Sequence, residues 1–163
     1  MSETDDTGPR VRQRGLWFEE FDVGSVYEHR PGRTVTETDT VLFTTLTMNT
    51  QALHLDAAES ARQAPFHERL ANSMFTLSTL VGLSVGQLTQ GTIVANLGLS
   101  EVSFPRPVRH GDTLYAETLV MSKRHSRSRP GEGLVVLQHT ARNQDGHVVA
   151  RATRQTLVRM TPQ

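Results

Sequence analysis

The sequence contains no cysteine among its 163 residues, which excludes a disulfide, a catalytic thiolate and a cysteine-based zinc site. No run of about 18 apolar residues occurs either, so we expect no membrane-spanning helix. An excess of charge is also lacking, because 17 lysines and arginines balance 17 acidic residues. General binders of nucleic acid or of acidic membranes need a basic excess, so this balance argues against both classes.

One domain is the simplest organisation for a chain of this length, which can bury a core without metal or disulfide support. Residues 1–14 are polar, first acidic and then basic, and this composition predicts a disordered tail and no secretory signal. The folded domain is therefore expected over residues 15–161, and we expect a cytoplasmic protein.

No charged residue occurs from Asn72 to Gln87, where large apolar side chains are separated mainly by Ser, Thr and Gly. This pattern predicts a helix that begins at Asn72 and Ser73 and is buried on nearly every face. A chain of this size can bury one helix so completely by wrapping a sheet around it.

Extended segments supply that sheet. Val26–His29 and Arg33–Thr36 predict two short strands separated by a turn at Pro31 and Gly32. Four further extended or alternating segments follow the helix, at 92–104, 113–123, 134–142 and 147–159. Strands without intervening helices are typical of an antiparallel sheet, so the predicted class is α+β, with the sheet wrapped around a buried central helix.

A polar stretch, Thr47–Asp56, lies between two predicted helices and contains His54 among amide side chains. Thr36 and Asp39 predict a capping box at the start of the preceding helix, which is expected to end near Met48. Its predicted apolar stripe consists of Val41, Leu42, Phe43 and Leu46. Asp56 predicts the N-cap of a second helix, Ala57–Arg62, and this role is favoured over that of a catalytic acid. A polar joint in apolar surroundings is a place where catalysis can occur.

Three motifs, together with the order of the predicted strands and helices, resemble the MaoC-like, (R)-specific enoyl-CoA hydratases, which have a hotdog fold. That family carries an Asp five residues before a His, and Asn49–Asp56 keeps this spacing. Ser73-Met74 corresponds to a Gly-Met pair at the head of the family's central helix, and Phe104–Leu114 corresponds to its segment ending in Gly-Asp-Thr-Leu. The resemblance covers about residues 16–160.

Within the family, three segments look like the mesaconyl-CoA hydratase, or β-methylmalyl-CoA dehydratase, branch: Asn49–His54, Asn72–Leu77 and Ser126–Pro130. Members of this branch act on short, branched, dicarboxylic acyl-CoA thioesters. The resemblance therefore implies reversible hydration of such an enoyl-CoA, a homodimer or higher homo-oligomer, and no cofactor beyond the CoA of the substrate.

The resemblance implies that His54 is catalytic, and Asn49 stands where the family has its catalytic Asp. An amide cannot take up a proton, so Asn49 can hold water or substrate but cannot serve as a base. Either His54 transfers the proton while Asn49 orients water, or the site only binds acyl-CoA. A carboxylate on the substrate could supply the missing negative charge beside His54.

Substrate binding is expected from Asn72, Ser73 and Met74, because free N–H groups at a helix N-terminus favour a carbonyl oxygen or an anion. Arg127 and Arg129 belong to a basic cluster that is either a solvated strand end or a contact for CoA phosphates from a neighbouring subunit. The histidines show no metal-ligand spacing, so no metal is expected.

Two other functions stay open. A hotdog thioesterase commonly has a carboxylate in or near the central helix to activate water, and Asn72–Gln87 contains none. A non-catalytic acyl-CoA-binding protein is consistent with an amide at Asn49.

Overall fold

Five antiparallel strands form one sheet in the computed structural model, which describes residues 8–162. The strands are β1 (Val26–Thr34), β2 (Ile93–Ser103), β3 (Thr113–His125), β4 (Glu132–Arg142) and β5 (Val148–Arg159). Their spatial order is β1-β3-β4-β5-β2, so β1 and β2 are the edges. The helices are α1 (Glu37–Leu46), α2 (Ala52–Leu55), α3 (Ala57–Arg62) and α4 (Ser73–Leu88). The predicted antiparallel sheet with one long helix is confirmed.

Residues 8–17 contain no helix or strand, and a short 3-10 turn follows at Phe18–Glu20. Residues 1–7 of the predicted tail lie outside the described residues, and the disorder of residues 1–14 stays a prediction. Arg14 pairs with Glu20 at 2.6 Å, and the N–H of Gly15 donates to the carbonyl oxygen of Gln90. In the part of the chain that the structure describes, no helix combines the length and the apolar character needed to cross a membrane.

The first strand is continuous, so the predicted turn at Pro31 and Gly32 is wrong. Both residues lie inside β1, whose register with β3 shifts between His29 and Arg33. A Cβ atom at Gly32 would lie 2.5 Å from the Tyr115 ring, so glycine is required for close packing. An irregularity of this kind absorbs the proline without ending the strand.

The capping box of α1 is confirmed: the Thr36 hydroxyl accepts from the Asp39 N–H at 3.2 Å, and the Asp39 carboxylate accepts from the Thr36 N–H at 2.9 Å. The predicted apolar stripe is present but does not pack into the core. Leu42 is 58% exposed and Leu46 is 75% exposed, whereas Thr40 and Thr44 are fully buried. The helix packs through its threonine side, which leaves an apolar face uncovered.

Burial of α4 on nearly every face is also not observed. Leu77, Leu80 and Leu88 are buried against the sheet, but Met74 is 53% exposed and the Gly82 position faces open space. Five strands form an open sheet that covers one side of the helix, so the other side lacks a cover within the described chain.

A row of polar side chains crosses the core between two hydrophobic clusters. The cluster around Leu80 and Leu114 lies on one side of the row, and the cluster around Phe21 and Leu137 lies on the other. The row itself contains one residue from each of four strands: His29, Thr118, His139 and Arg154. Buried polar groups need hydrogen-bond partners, so this row constrains how the four strands align.

The hydrogen bond between Gln87 and His29, at one end of this row, determines where the protons of the row lie. The side-chain oxygen of Gln87 can only accept, so His29 Nδ1–H donates to it across 2.8 Å. His29 Nε2 then accepts from the Thr118 hydroxyl at 2.7 Å, and the Thr118 oxygen accepts from His139 Nδ1–H at 2.8 Å. His139 Nε2 has no partner among residues 8–162, and burial lowers the pKa of this ring to about 3, so it is neutral at pH 7 with its proton on Nδ1.

We expect His139 to make the folded protein less stable as the pH is lowered. Burial lowers the pKa of His139 to about 3, and Arg154 and His29 act in the same direction. Between the ordinary histidine pKa, about 6.5, and that value, the unfolded chain binds a proton that the folded chain does not, so acidification favours unfolding. From pH 7 to pH 5 this one residue should cost about 2 kcal/mol of unfolding free energy.

Denaturant unfolding at both pH values measures this effect. His139→Gln keeps hydrogen-bonding capacity but cannot titrate, so its stability should depend less on pH than that of the wild type. His147→Gln, at an exposed position, is the control and should keep the wild-type dependence. Equal pH dependence for His139→Gln and the wild type would contradict the assignment.

Candidate active site

A cavity of about 590 Å³ lies at the N-terminal end of α4. Its walls combine the Asn49–His54 segment, the first turn of α4 and the segment between β2 and β3. The residues lining it are Asn49, Gln51, Leu53, His54, Phe66, Leu70, Ala71, Ser73, Thr76, Phe104, Pro105, Arg106, Pro107, Val108 and Val149. The fold thus brings together three of the predicted site residues: Asn49, His54 and Ser73.

His54 lies on α2, a short helix that the sequence did not predict, and its ring is half-buried. Its Nδ1 lies 2.9 Å from the carbonyl oxygen of Leu70. A carbonyl oxygen only accepts, so Nδ1 carries the proton, and Nε2 of the neutral ring keeps its lone pair. This hydrogen bond fixes the tautomer that a general base requires.

Asn49 lines the same cavity, and its side-chain oxygen accepts from the N–H of Gln51 at 3.0 Å. This local bond shapes the turn that leads into α2. The Asn49 amide nitrogen has no acceptor among the described residues, so two N–H donors are free for water or substrate. The site therefore offers N–H donors at the position where the resemblance implies a carboxylate.

The N-terminus of α4 supplies one backbone donor to the cavity. Asn72 is buried and caps the helix, because its side-chain oxygen accepts from the Met74 N–H at 2.9 Å. The Thr76 N–H donates to the Asn72 carbonyl, and the Phe75 N–H belongs to a residue that does not line the cavity. Ser73 N–H, at the first helical position, has no acceptor in residues 8–162 and belongs to a cavity-lining residue.

The structure gives the remaining predicted site residues other positions. Met74 does not line the cavity, and its N–H donates to Asn72, so Ser73 is the better donor. Asp56 caps α3, where its carboxylate accepts from the Glu59 N–H at 2.9 Å. In the described chain, no three His, Asp or Glu side chains form a group that could hold a metal.

Arg127 and Arg129 lie in the loop after β3, at the opposite end of that strand from the cavity. The strand has 13 residues, and at about 3.3 Å per residue it spans roughly 40 Å. Arg129 pairs with Glu132 at 2.6 Å. Within one chain, these arginines therefore lie far from the cavity.

Two residues beside the cavity were not singled out from the sequence. Among the described residues that line the cavity, Arg106 is the only arginine or lysine. His110 is half-buried, with an Nε2 that has no partner in the described structure, and burial lowers its pKa. Both lie inside the Phe104–Leu114 motif, so the motif marked the segment but not these side chains.

The antiparallel sheet packed on one long helix is the hotdog fold. A protein from Mycobacterium tuberculosis described as having a double hotdog fold superposes with a TM-score of 0.83 at 26% identity, covering 94% of this chain and 47% of that one. A MaoC-like dehydratase from Rhodospirillum rubrum gives a TM-score of 0.79 at 31% identity, covering 91% of this chain and 100% of that one. The predicted fold class is confirmed.

The match to a family model is more specific. Residues 20–143 match the MaoC-like domain, and the chain belongs to that family. The predicted relationship is confirmed by this match and by the curated relatives that follow.

Among curated proteins, the mesaconyl-CoA hydratase of Haloarcula marismortui is 29% identical over 135 residues, which are 83% of this chain and 37% of that protein. The β-methylmalyl-CoA dehydratase of Chloroflexus aurantiacus is 29% identical over 145 residues, 89% of this chain and 40% of that protein. The chain therefore spans about two fifths of the length of these curated relatives.

Proposed function

We propose that this protein is an enoyl-CoA hydratase that adds water reversibly to an α,β-unsaturated thioester. The observation that carries the proposal is the cavity shared by His54, with Nδ1 bound to Leu70, and the free N–H of Ser73. A base and an oxyanion donor in one site are the two groups that this reaction needs. The names of the curated relatives support the same reaction class.

The groups in the cavity suggest one order of events. His54 Nε2 takes a proton from water as the water oxygen bonds to the β-carbon. The π electrons move onto the thioester oxygen, where Ser73 N–H stabilises the enolate. The proton on Nε2 then passes to the α-carbon, which gives a 3-hydroxyacyl thioester. Dehydration is the reverse sequence.

We also propose a short, branched, dicarboxylic acyl group, as in mesaconyl-CoA. The described residues that line the cavity include no Asp or Glu, so a carboxylate on the substrate would meet no repulsion there. That carboxylate would supply the negative charge that Asn49 lacks, and it would stabilise His54 while this ring is protonated.

In the first test, purified protein is incubated with mesaconyl-CoA or with crotonyl-CoA, and enoyl absorbance and free thiol are measured together. We expect loss of absorbance without thiol release. His54→Gln removes the base, so its kcat should fall at least about 100-fold, the usual scale for losing a general base. His147→Gln, at an exposed position in the β4–β5 turn, is the matched control and should keep wild-type turnover.

Other outcomes identify the alternatives. Thiol release by the wild type would indicate a thioesterase. Binding of either thioester without a change in absorbance or thiol would indicate a non-catalytic acyl-CoA-binding protein.

Asn49 has a separate test, because Asn49→Asp keeps the oxygen that accepts from the Gln51 N–H. A carboxylate at this position would repel the carboxylate of mesaconyl-CoA but not the uncharged acyl group of crotonyl-CoA. We expect kcat/KM for mesaconyl-CoA to fall about 10-fold relative to crotonyl-CoA, a typical scale for one like-charge contact. Equal effects on both substrates would refute a substrate carboxylate near Asn49, and unchanged hydration by Asn49→Ala would remove Asn49 from the mechanism.

A homodimer is the assembly that we propose. Edge strand β2 exposes apolar side chains at Leu97, Leu99 and Val102, and its outer backbone edge is unpaired within the described chain. An apolar edge strand is a site for strand pairing with a second copy. The double-hotdog protein, of which this chain covers 47%, contains two such folds in one polypeptide.

Light scattering after size-exclusion chromatography should give twice the monomer mass of 18.1 kDa. Leu97 is 51% exposed, and Leu97→Lys should shift the protein toward monomer because it places a charge in the interface. Val11→Lys, at a position 93% exposed in the N-terminal segment, is the control and should leave the mass unchanged. A monomeric wild type would refute the dimer.

A further inference from the structure

The cavity has a marked charge asymmetry. The described residues that line it include one arginine, Arg106, together with His54 and with Ser73 at the N-terminus of α4, and none of them is acidic. A helix N-terminus carries a partial positive charge from its free N–H groups. Every electrostatic feature of the lining therefore favours a negatively charged ligand.

Arg106 differs from the other arginines of this region in lacking a carboxylate. Arg69, which precedes Leu70, is paired with Glu37, and Arg109 Nε lies 2.6 Å from Glu68. Arg106 makes no ion pair with any of residues 8–162. Its guanidinium group is available to an external anion, whereas the neighbouring charges are neutralised.

The backbone of Arg106 is fixed relative to the catalytic groups. Pro105 and Pro107 flank it, and their rings restrict the backbone of this short segment. The carbonyl oxygen of Val108 accepts from the Ala71 N–H at 2.9 Å. The segment that carries Arg106 is thereby bound to the residue that precedes the Asn72 cap of α4.

We infer that Arg106 is a specificity-determining residue that binds an anionic oxygen group of the substrate. This inference rests on the proposed function and deepens it. Two parts of an acyl-CoA carry such a group: a carboxylate at the far end of a dicarboxylic acyl chain, and the phosphates of CoA. Guanidinium binds both carboxylate and phosphate oxygens through paired N–H donors.

The test compares wild type, Arg106→Gln and Arg106→Lys on three substrates. Mesaconyl-CoA carries a carboxylate and phosphates, crotonyl-CoA carries phosphates alone, and S-crotonyl-N-acetylcysteamine carries neither. The control is Arg62→Gln on α3, where the guanidinium is exposed and lies 3.9 Å from Glu59. Dissociation constants for free CoA and for mesaconate are measured on the same proteins by calorimetry.

Two patterns support the inference and separate the two anions. If Arg106 binds the acyl carboxylate, Arg106→Gln should lower kcat/KM for mesaconyl-CoA about 10- to 100-fold, the scale of a charge-assisted hydrogen bond, and leave crotonyl-CoA unchanged. If it binds a phosphate, both CoA thioesters should lose activity equally, while the N-acetylcysteamine thioester should not. Arg106→Lys should recover part of either loss, because it restores charge without the paired donors.

Other results overturn the inference. Unchanged kinetics and binding in Arg106→Gln would show that the guanidinium does not contact the ligand. An equal loss on all three substrates would show a structural effect. A wild type that binds CoA or mesaconate through Arg106 but hydrates no thioester would refute the hydratase proposal alone, and one that binds none of these ligands would refute both.

Discussion

Three hydrogen bonds at Leu70 and Ala71 hold the cavity together. The Leu70 N–H donates to the Leu53 carbonyl, the Leu70 carbonyl accepts from His54 Nδ1–H, and the Ala71 N–H donates to the Val108 carbonyl. Two chain-distant segments are thus fixed to the residues immediately before α4. Because the same two residues serve both segments, the positions of His54 and of the loop between β2 and β3 are coupled to the start of the helix.

Several surfaces of the described chain carry apolar side chains that are not covered. An open five-stranded sheet buries one face of α4 and leaves β2 unpaired at its edge. Helix α1 packs through Thr40 and Thr44, so its leucines face outward. Apolar side chains exposed together on one face are typical of an interaction site. The polar row around His139 has the opposite character, because it lies deep between two apolar clusters and requires the strands to keep their register.

The site combines an amide, an imidazole and a guanidinium that has no ion-pair partner among the described residues. Asn49 and Ser73 contribute N–H donors, His54 contributes a lone pair, and Arg106 contributes a full positive charge. The resemblance implies a carboxylate at the position of Asn49, and the proposed substrate would bring that negative charge with it. Two observations support an anionic ligand independently. Asn49 carries no charge, and Arg106 has no counter-ion among the described residues.

The sequence by itself determined the features that depend on near neighbours in the chain. The caps at Thr36, Asp56 and Asn72 were predictable because each side chain bonds to an N–H two or three residues ahead. Strand alternation and the motifs around His54 were enough for the fold class and the family.

Only the tertiary structure decided which faces meet. The outward leucines of α1, the close approach of Gly32 to Tyr115 and the polar row through His139 depend on partners distant in sequence. The tautomer of His54 and the isolation of Arg106 also depend on such partners, Leu70 in the first case and the pairing of neighbouring arginines in the second. Local pattern specifies that a residue can bond or pack, but the assembled sheet and helices determine what lies beside it.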